Sequence, residues 1–359
     1  MSRSVRLNRR GATLPLGIIV LAVMSVAVAI TFARISAERL AGGDNQAQVG
    51  AFMVAQSGLN RYLSTRNAKP GATQDTTYTD LSGGTAQISM RMLRESTTTL
   101  LPAVYVIASR GNYTAAKRYN ALTPSAERTV ATYALWVPAP FDLNAGVTSL
   151  TGMTANGNSG AYSGIDHCGA GASIPGVAVP NGTWNAAHPT IVDGVPDDAA
   201  VGIGTPGTAG TAKDQVQIDW AGITAGTAFP ADYTYPSWPT TAQFGNWPVV
   251  KVNGDLVMPS SGSGILIVTG DLTWNGTPNK TWNGLVLVGG TLIGNGASTI
   301  YGAVVTGLNV KTGTAVPNYD VGNGTKTWQY DSCALTRALG HIGSFQRVRN
   351  GWTDTWSSY

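Results

Sequence analysis

Few side chains in this sequence can do covalent or metal chemistry. They are Cys168 and Cys333, the histidines His167, His188 and His341, and scattered aspartates. Asp166-His167-Cys168 sets an acid, an imidazole and a thiol side by side, the residue types of a cysteine nucleophile with its base. Sequence neighbours rarely point together, however, and a catalytic Cys–His pair is normally assembled from distant positions. Two cysteines 165 residues apart, on a chain whose bulk is expected outside the cytoplasm, read as one disulfide. It would strap the segment 330–335 back to the start of the distal domain, and closing so long a loop contributes up to about 5 kcal/mol. Two cysteines and three dispersed histidines match no zinc spacing. Asp166, His188, Asp193, Asp197 and Asp198 are candidate metal ligands, and the pair after Pro196 suits a Ca²⁺ loop, but a solvated turn is the better account of them. Asp255 and Asp271 are paired carboxylates at equivalent turns, which a ladder of turn caps explains. There is no Gly-x-Ser-x-Gly elbow and no phosphate loop. The expectation is no enzyme, no cofactor and no metal.

Composition says what must position these residues. The 359-residue chain carries 45 glycines and only 12% charged residues, half the charge of an average globular protein and nearly twice its glycine. That excludes helical bundles and coiled coils, whose faces are charged and poor in glycine. Glycine follows no three-residue period, which excludes collagen. A hydrophobic content of 43% argues against disorder. A β-rich, turn-rich chain of two or three domains remains. The net charge of +4 is matched by Arg3, Arg6, Arg9 and Arg10 alone, so no basic patch for nucleic acid is left.

Residues 12–33 form a run of 22 without a charge, about 33 Å of helix and enough for a bilayer core. The arginines ahead of it, Arg9 and Arg10 nearest, predict a cytoplasmic N-terminus and an extracytoplasmic bulk. A cleaved secretory signal competes, although its apolar core is normally about 7–15 residues. A twin-arginine signal rests on little more than the Arg9-Arg10 pair. Ile35, Leu40, Val49, Phe52, Leu59 and Leu63 continue a loose apolar stripe past the membrane, with Gly42-Gly43 as its weak point.

Arg10-Gly11-Ala12-Thr13-Leu14 ahead of this helix resembles the prepilin-peptidase leader of type IV pilins, with the cut after Gly11. Ser36-Ala37-Glu38-Arg39-Leu40-Ala41-Gly42, followed by 51–59 (AFMVAQSGL), is similar to the N-terminal region of PilX-type minor pilins. The likeness covers residues 10–63. Major pilins carry Glu five residues after the cut, where this chain has Leu16; PilX-like proteins commonly lack it too. The resemblance implies a basic leader over 1–11, a transmembrane and assembly helix over 12–64, and prepilin peptidase and other pilin-like subunits as partners. Arg34, Glu38 and Arg39 flank the anchor, where ion pairing would set helix register. An ordinary signal anchor is the plainer alternative.

Beyond Lys69-Pro70-Gly71 the pattern turns from helical to alternating. Residues 86–92, 103–109 and 128–137 read as strands of an antiparallel meander within 65–140, on which the helix lays its stripe. Residues 141–248 are too long for a loop, and short strands are expected in them, such as 176–179 and 216–218. An internal repeat then sets in. Residues 250–256 (VKVNGDL), 267–272 (IVTGDL), 287–292 (LVGGTL) and 304–308 (VVTGL) share glycines at 254, 270, 290 and 307. Short strands that turn at glycine and bury their apolar faces by stacking predict a β-solenoid over 141–315. This resembles the right-handed β-helix found behind PilX-type anchors and bactofilin-like solenoids. An antiparallel sandwich is the alternative. Residues 316–359 are expected to be a strap and a capping helix, with Leu335, Leu339, Ile342 and Phe345 near helical spacing.

The reading is therefore a mainly β, single-pass protein of the inner membrane, structural in role, taking part in type IV pilus assembly or surface display. The alternative is an anchored module that binds glycan or cell surface through an exposed face of tryptophans. Trp184, Trp220, Trp238, Trp247, Trp274, Trp282 and Trp328 all lie in the glycine-rich half, and packing over loops and solenoid ends explains them better than display does.

Overall fold

The computed structural model describes residues 13–81, 83–95, 102–114, 125–156, 160–186, 191–196, 200–204, 212–276 and 279–355. One long helix, α1 (Thr13–Thr65), precedes an otherwise mainly β chain. It runs unbroken through Gly42-Gly43, against the expected weak point. Two glycines cost about 2 kcal/mol of propensity, which does not outweigh the helical turns on either side. From Ala47 onward α1 lies on an antiparallel sheet of β1 (Thr73–Leu81), β2 (Gly84–Arg94), β3 (Ala103–Thr114) and β4 (Ser125–Pro138). Alternate residues Ile88 and Met90, Tyr105 and Ile107, and Ala134 and Trp136 face the helix and bury Leu59, Tyr62 and Leu63 with it. Each large apolar side chain buried there contributes about 1.5–3 kcal/mol. Gly111 makes the approach possible, since a Cβ there would stand 2.3 Å from the Ala51 carbonyl oxygen.

The glycine-rich half is a stack of parallel strands, which excludes the antiparallel sandwich. A first arm holds β5 (Val147–Ser149), β6 (Met153–Ala155), β7 (Gly160–Ser163), β8 (Val177–Val179), β9 (Trp184–Ala186), β10 (Ile191–Asp193) and β11 (Ala200–Gly202). Short helices α2 (Ala212–Gln215), α3 (Trp220–Ala225) and α4 (Thr241–Phe244) follow, with β12 (Tyr233–Thr234) between the last two. The second arm then holds β13 (Val249–Val252), β14 (Leu256–Val257), β15 (Gly262–Val268), β16 (Leu272–Asn275), β17 (Lys280–Val288), β18 (Leu292–Asn295), β19 (Ser298–Thr306), β20 (Asp320–Asn323) and β21 (Lys326–Tyr330). Residues 216–218, expected as a strand, instead follow α2 and seat Val216 and Ile218 against the stack.

These strands fall into an eleven-stranded and a six-stranded sheet, both open. In the second arm the chain alternates between them and returns one place further along at each pass: β13 pairs β15, β15 pairs β17, β17 pairs β19, while β14 pairs β16 and β16 pairs β18. Ile265-Leu266-Ile267-Val268 is buried on both faces, as parallel strands usually are. Leu266 and Val268 point to the core between the sheets, and Ile265 and Ile267 to a second core under the helices. The long strands bend at Gly264, Gly284 and Gly302. Gly302 has φ +144°, and a Cβ on it would lie 1.9 Å from the Gly284 carbonyl oxygen. Of the repeat glycines, Gly254 and Gly307 take positive φ as expected. Gly270 and Gly290 serve another purpose: their missing Cβ atoms leave room for the carboxylates of Asp255 and Asp271, each 2.1 Å from where that atom would sit.

The tail departs from expectation. Strands β20 and β21 belong to the stack, so its strands run from 147 to 330, past the expected limit at 315. The helix α5 (Ser332–Gly340) lies along the flank of β15, β17 and β19 and caps no end. It stops at Gly340, and Phe345 sits in β22 (Gly343–Asp354), which pairs antiparallel with β4. The parallel stack is thus an insertion between two neighbouring strands of the antiparallel sheet. Phe345 packs on Tyr62, Tyr105 and Trp136, a contact that overrides its helical spacing.

Candidate functional site: an exposed apolar helix

Among the described residues, the N-terminal part of α1 is packed against no other element. From Leu16 to Phe32 its large apolar side chains are exposed, Leu16 at 66% and Phe32 at 70%. A helix of this composition and length is sufficient to cross a membrane. Its few hydroxyls are satisfied internally: Ser25 Oγ donates to the Leu21 carbonyl at 2.7 Å and Thr31 Oγ1 to that of Ala27 at 2.8 Å. Such back-bonding removes most of the cost of a hydroxyl in an apolar medium. Pro15 stands in the first turn, where its missing N–H is not needed. Arg9, Arg10, Gly11 and Ala12 lie outside the described residues. Arg34, Glu38 and Arg39 are exposed, and no ion pair among the described residues joins them.

The other end of α1 is held by groups that the sequence pattern did not single out. Trp352 of β22 sits edge-on to Phe52, at 6.3 Å between centroids, and its Nε1 donates to Gln56 Oε1. Arg128 makes a two-pronged bond to Asp354 and lies over the Phe52 ring. Tyr62 donates to Gln74 at 3.0 Å. Burial pushes the Tyr105 phenol up to about 12, so its OH stays a donor to the Pro70 carbonyl. The apolar helix is therefore fixed to the head by its first-sheet core and by the last strand of the chain.

The candidate chemistry groups are dispersed. Cys168 and Cys333 are joined as a disulfide with Cα atoms 6.1 Å apart, which consumes both thiols. Asp166 lies beside the Cys168 sulfur, with Oδ2 3.6 Å from it, and accepts from Gly171 N, Ser332 N and Ser332 Oγ at 2.6–2.8 Å. Burial opposes its charge, but these bonds hold the carboxyl below its ordinary value. His167 stacks on Tyr301, and His341 Nε2 lies 2.8 Å from Asp232. His188, Asp197 and Asp198 lie outside the described residues, and Asp193 ends β10 away from the others. The one described group with three metal-ligating atoms in reach is Cys168, Asp331 and Cys333, whose sulfurs are spent. Asp255 Oδ1 accepts from Asp271 N at 2.8 Å and Asp271 Oδ1 from Thr291 N at 2.7 Å, a ladder that ties successive turns together.

The tryptophans form no displayed face among the described residues. Trp220, Trp274, Trp282 and Trp328 are buried, and Trp184, Trp238 and Trp247 are partly buried.

No protein-family model matches this chain, and no curated protein is similar to it. Among solved structures, the competence-associated pilin ComZ from Thermus thermophilus aligns with 85% of this chain and 97% of its own, at 10% identity and a TM-score of 0.23. At that TM-score the alignment carries no argument about fold or role.

Proposed function

We propose that this chain is a structural, membrane-anchored subunit of a pilin-like assembly, of the minor, PilX-like kind. One observation carries the reading. A single unbroken helix of 53 residues has its N-terminal half bare and apolar and its C-terminal half buried on an antiparallel sheet. Bare apolar surface of that extent needs a bilayer or neighbouring apolar helices around it. In this reading residues 1–11 are removed by a prepilin peptidase after Gly11. The helix first sits in the inner membrane, N-terminus in the cytoplasm, and then packs among the helices of other subunits. Arg34, Glu38 and Arg39, unpaired with one another, are left for partners on those neighbours, at about 0–1 kcal/mol each if exposed.

The two open parallel sheets are read as the walls of a right-handed β-helix, the hand that nearly all parallel crossovers take. No bond-making step is assigned to any residue. Adhesion through a tryptophan face is not part of the proposal, because Trp220, Trp274, Trp282 and Trp328 are buried and Trp184, Trp238 and Trp247 partly so.

The test is the mature N-terminus, measured by mass spectrometry on protein from its own membranes. A start at Ala12, especially N-methylated, is the expected outcome. An intact Met1 would mean a permanent anchor and defeat the assembly role. A start beyond Phe32 would mean a released protein and defeat the membrane reading altogether.

A further inference from the structure

The two arms of the parallel stack are assembled out of chain order. Along the large sheet the strands run β13, β15, β17, β19, then β5, β8 and β11. Along the small sheet they run β14, β16, β18, β20, then β6 and β9. Both arms advance in the same direction, and the end of the second arm meets the beginning of the first. The join is made by β19 with β5, β20 with β6 and β21 with β7. The chain enters β5 from 139–146 and leaves β21 into α5, so no peptide bond continues the stack across this line.

Besides these ladders and the core that both arms share, the ties across it cluster in one place. The Cys168–Cys333 disulfide ties the segment after β7 to the segment after β21. Beside it the Asp166 carboxylate takes the N–H and hydroxyl of Ser332, and His167 N donates to the Tyr330 carbonyl at 2.9 Å. On the inner side Asp320 N donates to the Gly152 carbonyl at 2.9 Å. The first arm is otherwise held by those three short ladders and by its share of the core, Val147, Met153 and Tyr162 included. Its strands are all three or four residues long, whereas the second arm adds to strands of two to five residues the long β15, β17 and β19, of seven, nine and nine. Short ladders with few cross-strand pairs open first. Cys168 is exposed, so a reductant can reach the bond.

We propose that this join is a redox lock. With the disulfide formed, the first arm is a permanent part of the stack. With it reduced, the first arm undocks from β19, β20 and β21 while the second arm and the antiparallel layer stay folded. The step is thiol–disulfide exchange with a dithiol: two thiols of the reductant become its disulfide, and the Cys168–Cys333 bond takes up two electrons and two protons to give two thiols. The first arm therefore docks for good only where disulfides form. This inference does not rest on the pilin-like reading.

The experiment is hydrogen exchange by mass spectrometry on the full chain in detergent micelles, with and without dithiothreitol, with thiol alkylation to count the freed cysteines. Reducing protein that is already folded avoids a variant that fails to fold. Peptides over 147–155 and 177–186 are expected to exchange more than about tenfold faster after reduction. Peptides over 262–288 and 103–114 are expected to be unchanged. Unchanged exchange throughout the reduced protein would overturn the lock, as would equal loss of protection in 262–288. A bond that dithiothreitol cannot reduce in the folded protein would overturn it too. In the oxidised protein, Ser332→Ala is expected to raise exchange in the same first-arm peptides by a smaller factor, and an effect confined to α5 would count against the join.

Discussion

The two arms share sheets, a core and a direction, yet they are built differently. In the second arm consecutive residues such as Leu285, Val286, Leu287 and Val288 are buried on both faces of a long strand. Its turns are tied by the Asp255–Asp271 ladder, and its bends fall on a column of glycines. In the first arm three-residue strands such as Val177–Val179 are buried as completely but stand between turns, and Trp184 is only partly buried. The second arm carries its stability within itself. The first takes much of its stability from the strands it is docked on. The difference explains why a disulfide lies at the join and not at either end of the stack.

The largest effect that sharpens this contrast comes from glycine. Gly302→Ala would place a Cβ against the Gly284 carbonyl at a φ of +144°, in the middle of the second arm. The atoms it would meet are all Gly284 backbone, so the clash cannot relax through a side chain. The expected cost is more than about 4 kcal/mol, or no folded head at all. Gly182→Ala, at a first-arm turn with φ +77° and open space around it, is expected to cost only about 1 kcal/mol. Denaturant unfolding of the two variants followed by circular dichroism checks the pair. Equal costs would mean that the arms do not differ in the way described.

Much of this was legible in the sequence, and the omissions have physical causes. The apolar run at 12–33, the strands of the meander and the second-arm repeat all announce themselves by period, because one face or both must be apolar to be buried there. The edge strands did not. In β1, Thr73 to Leu81 carries little apolar content, since one side of an edge strand faces water. Ile342, just ahead of β22, and Phe345 within it continue the spacing of α5 and disguise the change to strand. The order of the arms was out of reach, because nothing local in Val147 or Val304 says that they pair across more than 150 residues. The candidate site was legible as an apolar helix, but its fastening by Trp352 and Asp354 depends on that same distant strand.

A smaller effect separates the two carboxylates of the join by sign. Asp320 is fully buried, and burial pushes its carboxyl up to about 6 despite bonds from Leu292 N, Thr306 and Ser149; the charge of Asp271 adds to the rise. A folded value above the unfolded one means stability that is fully present below about pH 3.8 and is lost as pH rises through about 6. Asp166 is lowered, so its contribution is present above its ordinary value and is lost as pH falls through the folded one. The join should therefore be firmest at about pH 4, with Asp320's contribution falling from there to about pH 6. Asp320→Asn keeps an acceptor for Leu292 N and removes the charge. It is expected to recover at most about 3 kcal/mol at pH 7.5 and to flatten the difference between pH 5 and 7.5 in denaturant titrations. An unchanged slope would show that Asp320 does not titrate in this range.

The smallest effect tests whether the ladder of the second arm matters beyond filling its turns. Asp271 Oδ1 receives the N–H of Thr291, which is 3% exposed and has no water to turn to if the carboxylate is removed. Asp255 Oδ1 receives the N–H of Asp271, which is only half-buried. Asp271→Ala should therefore cost about 1–2 kcal/mol, the penalty of a stranded buried donor, and Asp255→Ala about half as much. Asp271→Asn retains the accepting oxygen and should return most of the loss. If Asp271→Asn is as damaging as Asp271→Ala, the charge and not the hydrogen bond holds the turns together. The Asp255–Asp271 column would then be an electrostatic feature of the second arm, with added salt expected to weaken it.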